Sequence, residues 1–297
     1  MRNREQNLAI IALLFGASAT SLSPIFIRLS DLEPLASAFH RMAWALPILW
    51  IWLLSQRPAK KACPTTKRIR DVWLLIACGV FFSIDLIALH LSIELTAVAN
   101  AILFLNMQPI YIIIGSWVFL RTRPSLILVL SIAITLCGAF IMVEQSITFG
   151  HTMLVGDILG LIAGICYAGF ILAASHLRGR YNSVKINVWT VSIACPLLFI
   201  TTVFFGQPVV PQSLKDWSLM LALGIITQAI GQGLIIWGLI HLSTNFSSIT
   251  LMVAPVASTL FAWVFLDELI SAQQLLGMVI VLGGIYFSNR TLSNAGD

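Results

Sequence analysis

Ten mostly apolar stretches, each close to 20 residues long, follow one another along the chain: 8–28, 34–54, 72–93, 96–119, 124–143, 154–177, 184–205, 217–241, 244–266 and 271–289. A helix rises about 1.5 Å per residue, so about 20 apolar residues cross a hydrocarbon core of roughly 30 Å. A water-soluble fold could not hide them: of the 297 residues 59% are apolar and only 10% charged, where soluble domains carry roughly 25%. Lipid leaves backbone groups no partner but each other, so each stretch is expected to be a helix. The predicted fold class is therefore an all-α integral membrane protein with ten transmembrane helices in a lipid bilayer. Connections as short as "ELT", between the third and fourth stretches, make neighbours antiparallel. The start, MRNREQN then LAIIALLFGASATS, has the basic and small residues of a leader, but its apolar run continues to Phe26 and it is read as an uncleaved first span.

The basic residues explain the net charge of +5 without invoking nucleic acid. If the N-terminus is cytoplasmic, the inner segments hold Arg2, Arg4, Arg57, Lys60, Lys61, Lys67, Arg68, Arg70, Arg121, Arg123, Arg178, Arg180, Lys185 and Arg290, and the outer ones only Arg28 and Lys215. That bias places both termini in the cytoplasm. The cysteines, Cys63, Cys78, Cys137, Cys166 and Cys195, are odd in number and lack metal-ligand spacing, so they read as packing residues, and neither metal nor cofactor is expected.

The chain also repeats itself. SWVFLRTRPSLILVLSIAITLCGAF (116–140) aligns without gaps on AWVFLDELISAQQLLGMVIVLGGIY (262–286), pairing Gly138 with Gly284, and the same offset pairs Pro109 with Pro255. Gly16 with Gly164 and Pro47 with Pro196 match at a slightly larger offset. Two five-span units result, 1–146 and 147–297. Five is odd, so the second enters the membrane from the opposite side: a 5+5 inverted-topology repeat. The inner loop with Arg121 and Arg123 accordingly corresponds to an outer one with Asp267 and Glu268. Inverted repeats in carriers place the solute site near the midplane between the halves and support alternating access.

SPIFIRLSDLEPLASAFHRMAWALPILW across the first two spans, with ELTAVANAILFLNMQPIYIIIGSWVFL and LSTNFSSITLMVAPVASTLFAWVFLDELIS in the two repeat hairpins, resembles the EamA-type ten-span members of the drug/metabolite transporter superfamily. The likeness lies in a small-residue-rich span with a mid-helix proline, then an aromatic-aliphatic run and a loop that commonly reads Gly-Glu. Here that loop reads Asp267-Glu268 in the second copy and Arg121-Thr122 in the first, which departs from the pattern. The resemblance implies a carrier of small metabolites in a bacterial inner (plasma) membrane, many such proteins being exporters of amino acids or drugs. It also matches Arg41 to an arginine common early in the second span.

Ionisable groups inside a span cost about 2.5 to 3.5 kcal/mol each on insertion scales and normally face a cavity, a partner or a pathway. Asp85 lies roughly 12 Å and Arg41 roughly 10 Å from the outer end of consecutive spans, counting helical rise. The expectation is an Arg41–Asp85 pair, which either only fixes helix register or meets the solute. His90, about 140° around the helix from Asp85, faces a neighbouring helix as a structural histidine or takes part in proton coupling; His40 is read the same way. Asn100, Asn106 and Gln108 precede Pro109, and Pro109 and Pro255 are candidate hinges beside the site. Gln228 and Gln232, one turn apart, either face the solute or bond between helices. Gly156, Gly160 and Gly164 form a packing seam, Tyr167 and Trp189 are candidate walls, and Asp157 is read as solvated.

The candidate substrate-binding set is therefore Asp85, Asn106, Gln108, Gln228, Gln232, Tyr167 and Trp189, with Arg41, Asp85 and His90 for ion pairing or coupling. The leading reading is a secondary carrier exporting a small amphipathic, amino-acid-like metabolite, with a proton as the candidate coupling ion. Uptake on the same fold is the alternative. An enzyme or a membrane scaffold ranks lower, since HExxH, GxSxG and GxxxxGK[ST] are all missing from the sequence.

Overall fold

Prolines mark three breaks in the helical rods of this chain, while Pro47 and Pro196 lie inside unbroken helices. The computed structural model describes residues 2–56, 65–96, 98–121, 124–143 and 154–294; Arg57, Lys60, Lys61, Cys63, Arg123 and the 146/147 boundary lie outside the described residues. The elements are α1 (Arg2–Thr20), α2 (Ser23–Leu29), α3 (Pro34–Ser55), α4 (Thr65–Leu95), α5 (Val98–Asn106), α6 (Gln108–Leu120), α7 (Leu126–Val143), α8 (Leu154–His176) and α9 (Ser183–Phe204). They continue with α10 (Leu214–Ala222), a π-helical segment (Leu223–Gln232), α11 (Gly233–His241), α12 (Thr244–Thr250), α13 (Val253–Leu266) and α14 (Ala272–Asn294). A proline lacks the N–H donor and its ring crowds the carbonyl four residues back. Pro24 accordingly separates α1 from α2, Pro109 separates α5 from α6, and Pro255 separates α12 from α13.

Counted as rods, eight helical stretches among the described residues are long and apolar enough to cross a membrane, and the apolar part of α14, Ala272–Ser288, is shorter. The remaining rod, α3, has 22 residues but carries His40, Arg41 and three tryptophans, which lower its hydropathy. Large apolar side chains such as Phe15, Ile51, Leu126 and Val279 are exposed around the outside, the surface a lipid-solvated bundle presents. One apolar core joins α1, α3, α4, α8, α9 and α11, and a second lies between α7 and α14 under α12 and α13.

The α7–α14 contact displays the inverted repeat directly. A Cβ on Gly138 would lie 2.8 Å from both Gly277 O and Val281 N, and one on Gly284 would meet Thr135 and, at 3.2 Å, Ser131 O. Gly284, Val281 and Gly277 stand 146 residues after Gly138, Thr135 and Ser131 respectively, so each copy offers the other the same patch. Such a self-complementary contact is the mark of two-fold symmetry. The pair is antiparallel, Met142 late in α7 meeting Gly277 early in α14, which puts the axis across the helices rather than along them.

The copies also end alike. Arg121 caps α6 at φ 53° and Asp267 caps α13 at φ 55°, both left-handed and again 146 residues apart. Glycine occupies that conformation without strain, which explains why Gly suits this position, whereas other L-residues pay roughly 1–2 kcal/mol. Arg121→Gly should raise stability by about 1 kcal/mol, read as a higher thermal midpoint in detergent. Asp267→Gly should gain less, because a short polar side chain tolerates the region better.

Candidate functional site

Five elements bring polar side chains together inside the bundle: α3 and α4 from the first repeat, α8, α9 and the π-helical segment from the second. Arg41 of α3 is 9% exposed and Asp85 of α4 is 4% exposed. The Nε of Arg41 donates to Gln228 Oε1 at 3.1 Å. Gln228 Nε2 donates to Asn187 Oδ1 at 3.3 Å, and Asn187 Nδ2 returns a bond to the Gln228 carbonyl at 3.3 Å. The Arg41 guanidinium also stands 5.9 Å from the centre of the Phe82 ring. Tyr167 stands near the side chain of Gln232 and is an electrostatic neighbour of both Asp85 and Arg41.

Not everything in this cluster is paired. Asp85 Oδ1, Gln232 Nε2 and, on α6, Gln108 Oε1 are buried without a hydrogen-bond partner among the described residues. Arg41 and Asp85 feel each other's charge, yet neither ion pair with N···O within 4.0 Å among the described residues joins them. The depth match expected from the sequence thus brings the two residues into one cluster, while the guanidinium bonds an amide and not the carboxylate. An unpaired acceptor and an unpaired donor, buried close together, are what a small polar solute could satisfy.

The π-helical segment helps to place the amides. Its wider winding carries Gln228 and Gln232, and Gly224 and Gly231 let it close on α3 and α1: a Cβ on Gly224 would lie 3.1 Å from Ala45 N, and one on Gly231 would lie 3.2 Å from Ala19 Cβ. Such windings are frequent at functional sites.

Other candidates serve the helix ends or packing. His90 Nδ1 bonds the Leu86 carbonyl at 2.6 Å, one turn back on its own helix. His40 Nε2 meets the Val209 carbonyl at 2.7 Å. Trp189 packs half-buried against the main core, and Asn106 is buried beside the α5–α6 break. Gly156 and Gly164 form the expected seam, their Cβ positions lying 2.8 Å from Thr96 N and Phe104 O. Asp157 departs from the solvated reading: its Oδ1 accepts from Thr96 Oγ1 at 2.7 Å and Asn100 Nδ2 at 3.1 Å. Asn187 was missed, an uncharged residue whose only sequence signal is its polarity within an apolar span.

Bonds between the repeats differ at the two ends of the rods. Where α2, α4 and α13 end, Arg28 pairs with Glu268, Asp216 Oδ1 accepts from Ser30 Oγ and Asp31 N at 3.1 Å each, and Gln207 Oε1 accepts from Leu35 N at 3.1 Å. At the opposite end Asp71 pairs with Arg180 and Arg70 bonds His176 at 3.0 Å. A cleft of about 460 Å³ also opens there, lined by Ser116 of the first repeat and by His176, Arg178 and Asn245 of the second. His176 in its lining lies roughly 13 Å along α8 from Tyr167 at helical rise, so the cleft is distinct from the buried cluster.

The description "EamA-like transporter family" matches residues 7–144 and again 154–290. The "Pseudopaline exporter CntI" of Pseudomonas aeruginosa is 23% identical over 75% of this chain and 76% of its own. The "Uncharacterized transporter sll1319" of Synechocystis sp. is 24% identical over 96% of this chain and 85% of its own. A solved crystal structure with 17% identity superposes with a TM-score of 0.79, covering 97% of this chain and 99% of that one. With its two matched repeats and its paired helical halves, the chain belongs to the EamA-like transporter family.

Proposed function

We propose that this protein is a secondary carrier that exports a small amphipathic, amino-acid-like metabolite across a bacterial inner membrane, its halves 1–146 and 147–297 exposing the site to each side in turn. The observation that carries the reading is the buried cluster between the repeats, in which Asp85 Oδ1 and Gln232 Nε2 lack hydrogen-bond partners among the described residues while Arg41 reaches across to Gln228. A carboxylate, an amide donor and a guanidinium around Tyr167 suit a solute with both a cationic and an anionic group. The name of the Pseudomonas relative supports outward movement, and the distribution of basic residues supports cytoplasmic termini. The Pro109 and Pro255 breaks, at equivalent places in the two copies, are the proposed hinges.

Metabolites inside and outside cells overproducing the protein, compared with cells carrying an empty vector, test the reading. At least one amine-bearing metabolite should accumulate outside with the protein. Accumulation inside would reverse the direction, and identical profiles would remove the carrier reading.

A further inference from the structure

Arg41 is held loosely for a buried cation. Its Nε bonds Gln228, but neither terminal nitrogen makes a hydrogen bond among the described residues. Its other contact is the Phe82 ring, and Phe82 and Asp85, three residues apart on α4, share one face of that helix. The guanidinium therefore already lies over the turn that carries Asp85, whose Oδ1 has no hydrogen-bond partner among the described residues. Gln228 belongs to the second repeat and Arg41 to the first, so the hydrogen bond that keeps Arg41 from Asp85 crosses the boundary along which a rocking carrier must move.

We propose that Arg41 is the resident counter-ion of Asp85. When the site is empty, the side chain leaves Gln228, turns across Phe82 and closes on the Asp85 carboxylate, so that the empty carrier passes between its two facing states without a lone buried charge. When a solute brings its own cationic nitrogen to Asp85, Arg41 returns to Gln228. The inference rests on the carrier reading and deepens it in two respects. It assigns the solute a positively charged nitrogen as the group that displaces Arg41, and it makes the return of the empty carrier depend on one side chain. The physical reason is that a buried charge stripped of its partner is strongly unfavourable, while a pair formed in place of solvation is tolerated.

The test needs no solute. Spin labels at Glu33→Cys and Leu269→Cys, one exposed position in each repeat, on a background without native cysteines, report the separation of the repeats in substrate-free nanodiscs by electron-electron resonance. The parent protein should show two distance populations, and so should Arg41→Lys, which keeps the charge. Arg41→Gln should shift their ratio roughly a hundredfold and leave one. Adding Asp85→Asn to Arg41→Gln should restore both, because no charge is left to neutralise. Should Arg41→Gln fail to fold, the double variant should recover wild-type yield, and failure to recover it would overturn the pairing. Two populations in Arg41→Gln, or one in a folded double variant, would also overturn the counter-ion role. A single population in the parent protein would instead remove alternating access itself.

Discussion

Asp85→Asn is expected to reach the membrane in wild-type amount, to melt no lower than wild type, and to release the exported compound at least roughly thirtyfold more slowly. The two halves of that expectation come from the same observation. Asp85 is buried, and among the described residues its Oδ1 is unpartnered and it makes no ion pair with N···O within 4.0 Å, so with Arg41 held on Gln228 the change to an amide breaks no bond. Removing a desolvated charge then offsets the counter-ion that Arg41 loses in the empty carrier, because Arg41 keeps Gln228 and the Phe82 ring, so the midpoint does not fall. Transport responds in the opposite sense. A charged group that meets a cationic solute in a water-excluded site contributes roughly 2–5 kcal/mol when its partner is truncated, and about 1.4 kcal/mol is tenfold in rate. A residue kept only to fix helix register would behave otherwise, losing stability and transport together. The measurement is the initial rate of release from loaded cells, normalised to membrane content, beside the thermal midpoint of the purified variant. A stable Asp85→Asn protein that releases solute at the wild-type rate would remove Asp85 from the site.

What the sequence made legible was long-range symmetry and depth. The gapless match of 116–140 on 262–286 predicts equivalent helices and, at the same offset, equivalent breaks at Pro109 and Pro255, because like residues in like surroundings fold alike; the packing of α7 on α14 came from the structure. Helical rise alone placed Arg41 and Asp85 at one level, and the structure joins them in one cluster. Partner choice could not be read this way. Whether Arg41 faces Asp85 or Gln228 depends on rotation and on which helix packs next, and α3 lies against both α4 and the π-helical segment. The π winding leaves no mark in hydropathy, since it changes only which carbonyl each N–H reaches. Pro24 marks the α1–α2 break, where Ser21 Oγ reaches the Ala254 carbonyl at 2.9 Å, and reading 8–28 as one span passed over it because a window long enough to find a span smooths over one kink. Asn187 shows the same blindness, being one amide among apolar neighbours whose role appears only when α9 meets Gln228.

Two adjacent glycines of α14 offer the sharpest contrast in what a substitution should do. Gly284 sits against α7, where a Cβ would meet Thr135 and lie 3.2 Å from Ser131 O, whereas a Cβ on Gly283 would find nothing within 4 Å. Its repeat mate Gly138 is as tightly placed, 2.8 Å from the Gly277 carbonyl and from Val281 N. In lipid, helices gain no hydrophobic drive from meeting, so such contacts rest on close backbone approach and dispersion. A leucine at Gly138 or Gly284 cannot be absorbed by turning a flexible side chain at the far surface, because backbone atoms stand in its way. The rods must separate along the axis that relates the two halves, losing contact over the whole seam. Overpacking costs about 1–3 kcal/mol even where a site can adjust, a large share of a stability of roughly 5–15 kcal/mol. Gly138→Leu and Gly284→Leu should therefore each yield roughly tenfold less monodisperse protein after extraction. Gly283→Leu should yield as much as wild type and melt slightly higher, since leucine favours a helix over glycine by roughly 0.5–1 kcal/mol. Size-exclusion profiles at equal expression separate these outcomes, and equal losses from Gly283→Leu and Gly284→Leu would mean that the α7–α14 seam is not what holds the two repeats together.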